Sequence, residues 1–104
     1  MLFRSGFRIA ESVPELGPVA EGILSHHEHW DGNGYPRGLA GKRIPVIARI
    51  ISIVDSYDVM LNGRPYKPPM TIEEIVKEFK QCSGTQFDPE IVDAFLEMIE
   101  SHNV

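Results

Sequence analysis

Three of the chain's four histidines fall within the eleven residues His26-His27-Glu28-His29-Trp30-Asp31-Gly32-Asn33-Gly34-Tyr35-Pro36, together with two acids and two glycines. Imidazole and carboxylate hold borderline and hard divalent metals through nitrogen and oxygen, and an open position on such a metal activates water. A further carboxylate, Asp55, follows on the next apolar segment. The chemistry to weigh is therefore metal-assisted hydrolysis, and the elements around these residues decide whether they can converge.

Leu2, Phe3, Phe7, Ile9 and Ala10 are spaced for a short amphipathic helix over residues 2 to 12, ended by Pro14. Leu16, Val19, Ala20, Ile23, Leu24 and His27 then follow helical spacing, which predicts a helix from about Glu15 to His29 whose apolar stripe leads to the histidines. On such a helix His26 and His27 lie ~100° apart and reach one centre only from its rim. Trp30 to Pro45 holds four glycines and two prolines and loses all helical period, so it reads as a long loop.

Pro45 suits the first turn of the next helix, in which Ile47, Ala48, Ile50, Ile51, Val54, Asp55, Asp58 and Val59 form a broad face. Asp55, four residues after Ile51, is expected to point at the core, where a charge needs a cation or donors. Asn62-Gly63 ends that helix, and Arg64-Pro65-Tyr66-Lys67-Pro68-Pro69 is an extended connection. Thr71 with Glu74 forms a capping box for a helix reaching about Cys82. Ser83-Gly84-Thr85 turns, and Asp88 with Pro89 opens a last helix carrying Ile91, Val92, Phe95, Leu96 and Ile99. The expected architecture is all-α, a bundle of four to five helices with one long Gly/Pro-rich loop.

Length and charge narrow the function classes. A chain of 104 residues is one small domain. Its 10 basic and 15 acidic residues give a net charge of −5, which argues against a DNA binder. The single cysteine, Cys82, excludes an intramolecular disulfide and suits a reducing, cytoplasmic setting. No apolar run approaches the ~18 residues of a membrane span, so no direct membrane contact is expected. Phosphate loops, serine elbows and paired zinc cysteines are all missing.

Each motif also has an ordinary reading. Adjacent histidines at a half-buried helix end are often structural, although Asp55 on the facing apolar surface makes a metal pair more credible. Asp31 to Pro36 reads as a pair of turns in which glycine supplies positive φ. Trp30 and Tyr35 offer either a stacking surface for a base or a pin between loop and bundle. Arg64 and Lys67 either clamp a phosphate or remain solvated. Glu28 and Asp31 are placed among the groups that orient ligand histidines, or at the surface.

The motifs taken together resemble the HD-GYP domain. The likeness is carried by His-His-Glu at 26 to 28, Asp-Gly-Asn-Gly-Tyr-Pro at 31 to 36, Gly38-Leu39, Ile44-Pro45, Ala48-Arg49-Ile50, Val54-Asp55-Ser56-Tyr57-Asp58, Arg64-Pro65-Tyr66 and Gly84-Thr85-Gln86-Phe87-Asp88-Pro89. That family is an all-α branch of the HD superfamily, and its active members are metal-dependent phosphodiesterases that hydrolyse cyclic di-GMP. The resemblance implies iron or manganese in a two- or three-metal site. It makes His26, His27 and Asp55 metal ligands, Gly34, Tyr35 and Pro36 the signature loop, and Tyr35, Arg64 and Lys67 substrate-binding residues.

The sequence departs from that pattern in two places. It has no His-Asp dipeptide, and a family histidine at the start of the first aligned helix falls on Leu2. Residues 1 to 104 are thus expected to form the C-terminal portion of an HD-GYP domain, with the helices bearing His-Asp upstream. Three readings compete: a segment of a phosphodiesterase that is inactive as this chain alone, a degenerate regulatory module that docks on GGDEF domains through the signature loop, or a stable remnant. An uncovered apolar face also predicts a homo-oligomer.

Overall fold

The computed structural model describes residues 17 to 102. The expected helix over residues 2 to 12, and Leu2 with it, lie outside them. Within them the chain is all-helical: α1 (Gly17–Ser25), a short 3-10 turn (Gly41–Arg43), α2 (Val46–Asn62), α3 (Ile72–Cys82) and α4 (Pro89–His102). α2 is the central element, packed against each of the other three, while α3 and α4 also pack on each other.

Local chemistry explains most boundaries. The Thr71 hydroxyl accepts from Glu74 N at 3.2 Å, and the Glu74 carboxylate accepts from Thr71 N at 2.9 Å, the capping box expected from sequence. These bonds hold the exposed Glu74 carboxyl below its usual range. A depressed carboxylate stabilises above its unfolded pKa, and this contribution is lost as pH falls through the folded value. Thr71→Ala is expected to cost about 1 kcal/mol, read as a lower unfolding midpoint in urea; an unchanged midpoint would remove the cap from the account.

Asp88 Oδ1 accepts from Glu90 N at 2.9 Å, so α4 is capped one residue before Pro89 as its sequence implies. α2 stops at Gly63, whose φ of +74° takes the chain out of the helix. Pro45 is the residue before α2 and not part of its first turn.

The core lies between α2, α3 and α4. Ile53, Ile75, Phe79, Phe87, Val92 and Leu96 are buried together, with Tyr57, Cys82 and Phe95 at the margin. Phe79 is central, its ring 5.1 Å from Phe87 and 5.5 Å from Phe95 in tilted and edge-on contacts. Burying each such aromatic side chain contributes roughly 1.5–3 kcal/mol. A second contact joins α1 to α2 through small residues. Ala20 and Ala48 are buried, and a Cβ on Gly22 would meet the Ile47 side chain.

Two expectations need correction. α1 ends at Ser25, not His29, so His26 and His27 occupy a turn beyond the helix. The broad face expected on α2 is divided: Ala48, Ser52 and Ile53 are buried, whereas Val46, Ile50 and Val54 are 52, 45 and 51% exposed. Asp55 is exposed as well and does not point into the core. The buried stripe of a helix is narrow, and Asp55 lies where the α2 surface opens into a cleft.

Candidate functional site

The turn after α1 is shaped by backbone bonds to the loop it starts. Glu28 N donates to Ser25 O at 3.0 Å, Tyr35 N to His27 O at 3.2 Å, and Gly32 N to His29 O at 2.8 Å. Glu28 is only 2% exposed, and its two carboxylate oxygens accept from Arg37 N at 2.8 Å and Leu39 N at 2.9 Å. A buried carboxylate needs such donors, and here they come from the loop backbone. Glu28 therefore organises the loop, and that demand turns the chain out of the helix before His29. Asp31 Oδ1 accepts from Asn33 N at 3.0 Å, a local turn that keeps Asp31 at the surface.

Gly34 is required for a reason other than positive φ. A Cβ there would strike His29 N and His27 O and lie 2.7 Å from Glu28 C, all of them backbone atoms. Gly32, at φ +87°, is the position in this motif that needs left-handed backbone. The close approach at Gly34 lays Tyr35 on His27, with ring centroids 4.9 Å apart and planes 14° from parallel. Tyr35 stays 56% exposed, so its other face is free for contact. Trp30 sits against the bundle, bordering a void of about 10 Å³ with Ile44, Arg49 and Phe87.

His26 and His27 have ring centroids 4.0 Å apart, tilted by 39°. His26 Nδ1 lies 2.6 Å from Ile23 O, a distance at which an Nδ1–H donates to that carbonyl. Burial holds the His27 imidazole below its ordinary value of 6.5; His26 adds to this, Asp55 opposes it, and His29 adds again. A neutral imidazole is the form that ligates a metal. His27 and Asp55 border one cavity of about 290 Å³, with Ser56, Met60, Glu78 and Gln86 among its other walls.

Donor chemistry thus suits a divalent metal, while the described residues bring too few donors together to enclose one. Among the described residues no three His, Cys, Asp or Glu side chains converge as a cage. Arg64 and Lys67 face each other across a tight turn, Arg64 N donating to Lys67 O at 2.8 Å and Lys67 N to Arg64 O at 3.0 Å. Lys67 borders an adjoining cavity of about 350 Å³ that shares Met60 and Glu78 with the first. Arg64 lines neither of the two.

Sequence reasoning singled out neither Glu78 nor Gln86 as a cavity residue. Glu78 accepts from Cys82 Sγ at 3.7 Å, and burial followed by this carboxylate pushes the thiol pKa up. The signal for Gln86 was its place in the Gly84 to Pro89 turn, which pairs with the histidine loop: Trp30 N donates to Gln86 O at 3.1 Å and Asp31 N to Thr85 O at 2.8 Å.

Known proteins resemble this chain in sequence and fold. The family model described as HD domain matches residues 3–91. The chain is 46% identical over 95 residues to a cyclic di-GMP phosphodiesterase of Thermotoga maritima, covering 89% of this chain and 26% of that protein. It is 48% identical over 97 residues to a probable cyclic di-GMP phosphodiesterase of Vibrio cholerae, covering 92% and 22%. It is also 44% identical over 97 residues to 3'3'-cGAMP-specific phosphodiesterase 2 of Vibrio cholerae, covering 93% and 17%.

A crystal structure of a cyclic GMP-AMP-specific phosphodiesterase from V. cholerae superposes with a TM-score of 0.70 at 35% identity, over 80% of this chain and 19% of that one. The chain spans about a quarter or less of the length of these curated relatives. With the family match running from residue 3 to residue 91, the chain belongs to the HD domain family, and its Gly34-Tyr35-Pro36 loop places it in the HD-GYP branch.

Proposed function

We propose that this chain supplies one wall of a metal-dependent phosphodiesterase site for cyclic di-GMP or a related 3'3' cyclic dinucleotide. The observation that carries the reading is that His27 and Asp55, from different elements, border one cavity with the signature tyrosine stacked on His27. His26, His27 and Asp55 would hold iron(II) or manganese(II). What such an ion supplies is Lewis acidity toward a phosphoryl oxygen and a readily deprotonated water. The exposed face of Tyr35 would meet a base or ribose, and Lys67 in the adjoining cavity would offset phosphate charge.

The rest of the ligand set, in this reading, comes from outside residues 1 to 104, consistent with relatives about four times as long. Val46, Ile50 and Val54 are the apolar surface those further helices would cover. The chain alone is then expected to bind metal without turning over substrate.

Titration with manganese(II) should show saturable uptake, weakened by roughly ten- to a hundred-fold or abolished in His27→Ala and Asp55→Ala. Absence of uptake at millimolar metal would remove the metal reading for this chain. Hydrolysis of cyclic di-GMP by this chain alone would overturn the claim that its ligand set is incomplete.

A further inference from the structure

The Gly84 to Pro89 turn holds a residue to which neither the resemblance nor the metal site gives a role. Gln86 is locked through its backbone: its N–H donates to Cys82 O at 3.1 Å and its carbonyl accepts from Trp30 N at 3.1 Å. The next two residues, Phe87 and Asp88, are 3% and 4% exposed. Gln86 therefore starts from a fixed point, and it lines the same cavity as His27 and Asp55 as well as the small void beside Trp30. Gln86 is half-buried, and its carboxamide makes no hydrogen bond to another described residue, so it reaches the open side of the cavity.

The other polar walls of that cavity are chemically unlike it. Asp55 and Glu78 are carboxylates that repel an anion, His27 is taken up as a metal ligand in the proposed reading, and Ser56 offers one hydroxyl. Gln86 alone among these walls offers an –NH₂ group with two N–H donors. A phosphodiester entering a cavity with two carboxylates gains from a donor that adds no charge, does not compete for the metal and costs little reorganisation on a locked turn.

We infer that Gln86 is a substrate-binding residue, its carboxamide N–H donating to a non-bridging phosphoryl oxygen held beside His27 and Asp55. The inference rests on the proposed phosphodiesterase reading and adds a specific contact to it. Gln86→Met keeps side-chain length and every backbone bond of the turn but removes the donor. Gln86→Glu keeps the shape and replaces the donor by a repelling charge.

The test uses the intact chain with manganese(II) and two probes, inorganic phosphate and cyclic di-GMP, followed by calorimetry. Manganese(II) uptake without a probe and the thermal midpoint serve as structural readouts. Gln86→Met is expected to weaken both probes about ten-fold, with manganese(II) uptake and midpoint unchanged, and Gln86→Glu is expected to weaken them further.

Probe affinities of Gln86→Met within about two-fold of wild type would overturn the inference, and so would a loss explained by a fallen midpoint. If the wild-type chain binds cyclic di-GMP well and Gln86→Met matches it, the function reading stands and the Gln86 contact falls. If Gln86→Met weakens phosphate while cyclic di-GMP binds no better than phosphate, the contact stands and the cyclic dinucleotide reading falls. Failure of both probes on the wild-type chain overturns both.

Discussion

Gly34→Ala is expected to destabilise the chain by about 3 kcal/mol and to weaken manganese(II) uptake in the same protein. The added methyl meets the backbone of His27, Glu28 and His29, and backbone atoms have no rotamer into which to withdraw. The loop must lift, and with it go the Tyr35 N to His27 O bond and the stacking of Tyr35 on His27. Because Gly34 lacks positive φ, the penalty is one of space and not of intrinsic backbone preference. For a domain of this size the thermal midpoint should fall by more than about 10 °C. A midpoint within about 3 °C of wild type would show that the loop does not sit against the end of α1.

The second large effect is expected at Arg49. Its guanidinium bonds Asp88 Oδ2 at 2.7 Å, with the two side chains 14% and 3% exposed, and Nε donates to Ile44 O at 3.0 Å. One side chain thus ties together α2, the end of the long loop and the cap of α4. Removing one partner of a buried pair leaves a charge without compensation, which costs about 3–5 kcal/mol. Arg49→Ala should approach that range in urea unfolding. Adding Asp88→Asn, which removes the stranded charge and still caps a helix, should recover part of the loss. A loss below about 1 kcal/mol for Arg49→Ala would mean that water, not Asp88, solvates the guanidinium.

What could be read from sequence, and what could not, divides along physical lines. Thr71 with Glu74, Asp88 with Pro89, and Asn62-Gly63 announced their helix ends correctly because capping depends on residues three or four positions apart. The end of α1 was misplaced by four residues because what stops it is tertiary: Glu28 must bury its carboxylate on the amides of Arg37 and Leu39. Periodicity put Asp55 on an apolar stripe but could not tell a stripe that meets the core from one that opens into a cleft. His27 and Asp55 were paired from residue type and likeness to a family, and they do border one cavity. Gln86 was legible only as part of a motif, since its position at the cavity comes from a pairing between distant segments.

That pairing also limits how far the chain can be divided. The amides of Trp30 and Asp31 rest on carbonyls at 86 and 85, and the turn bearing those carbonyls is held by Phe87 in the core and by Asp88 on Arg49. Fragments that stop after α2 would keep His26, His27 and Asp55 in their sequence yet lose the support that sets the histidine loop. The smallest piece that retains the wall therefore runs from α1 into the first turns of α4. Within it the histidines, Asp55 and Gln86 are gained or lost as a single unit.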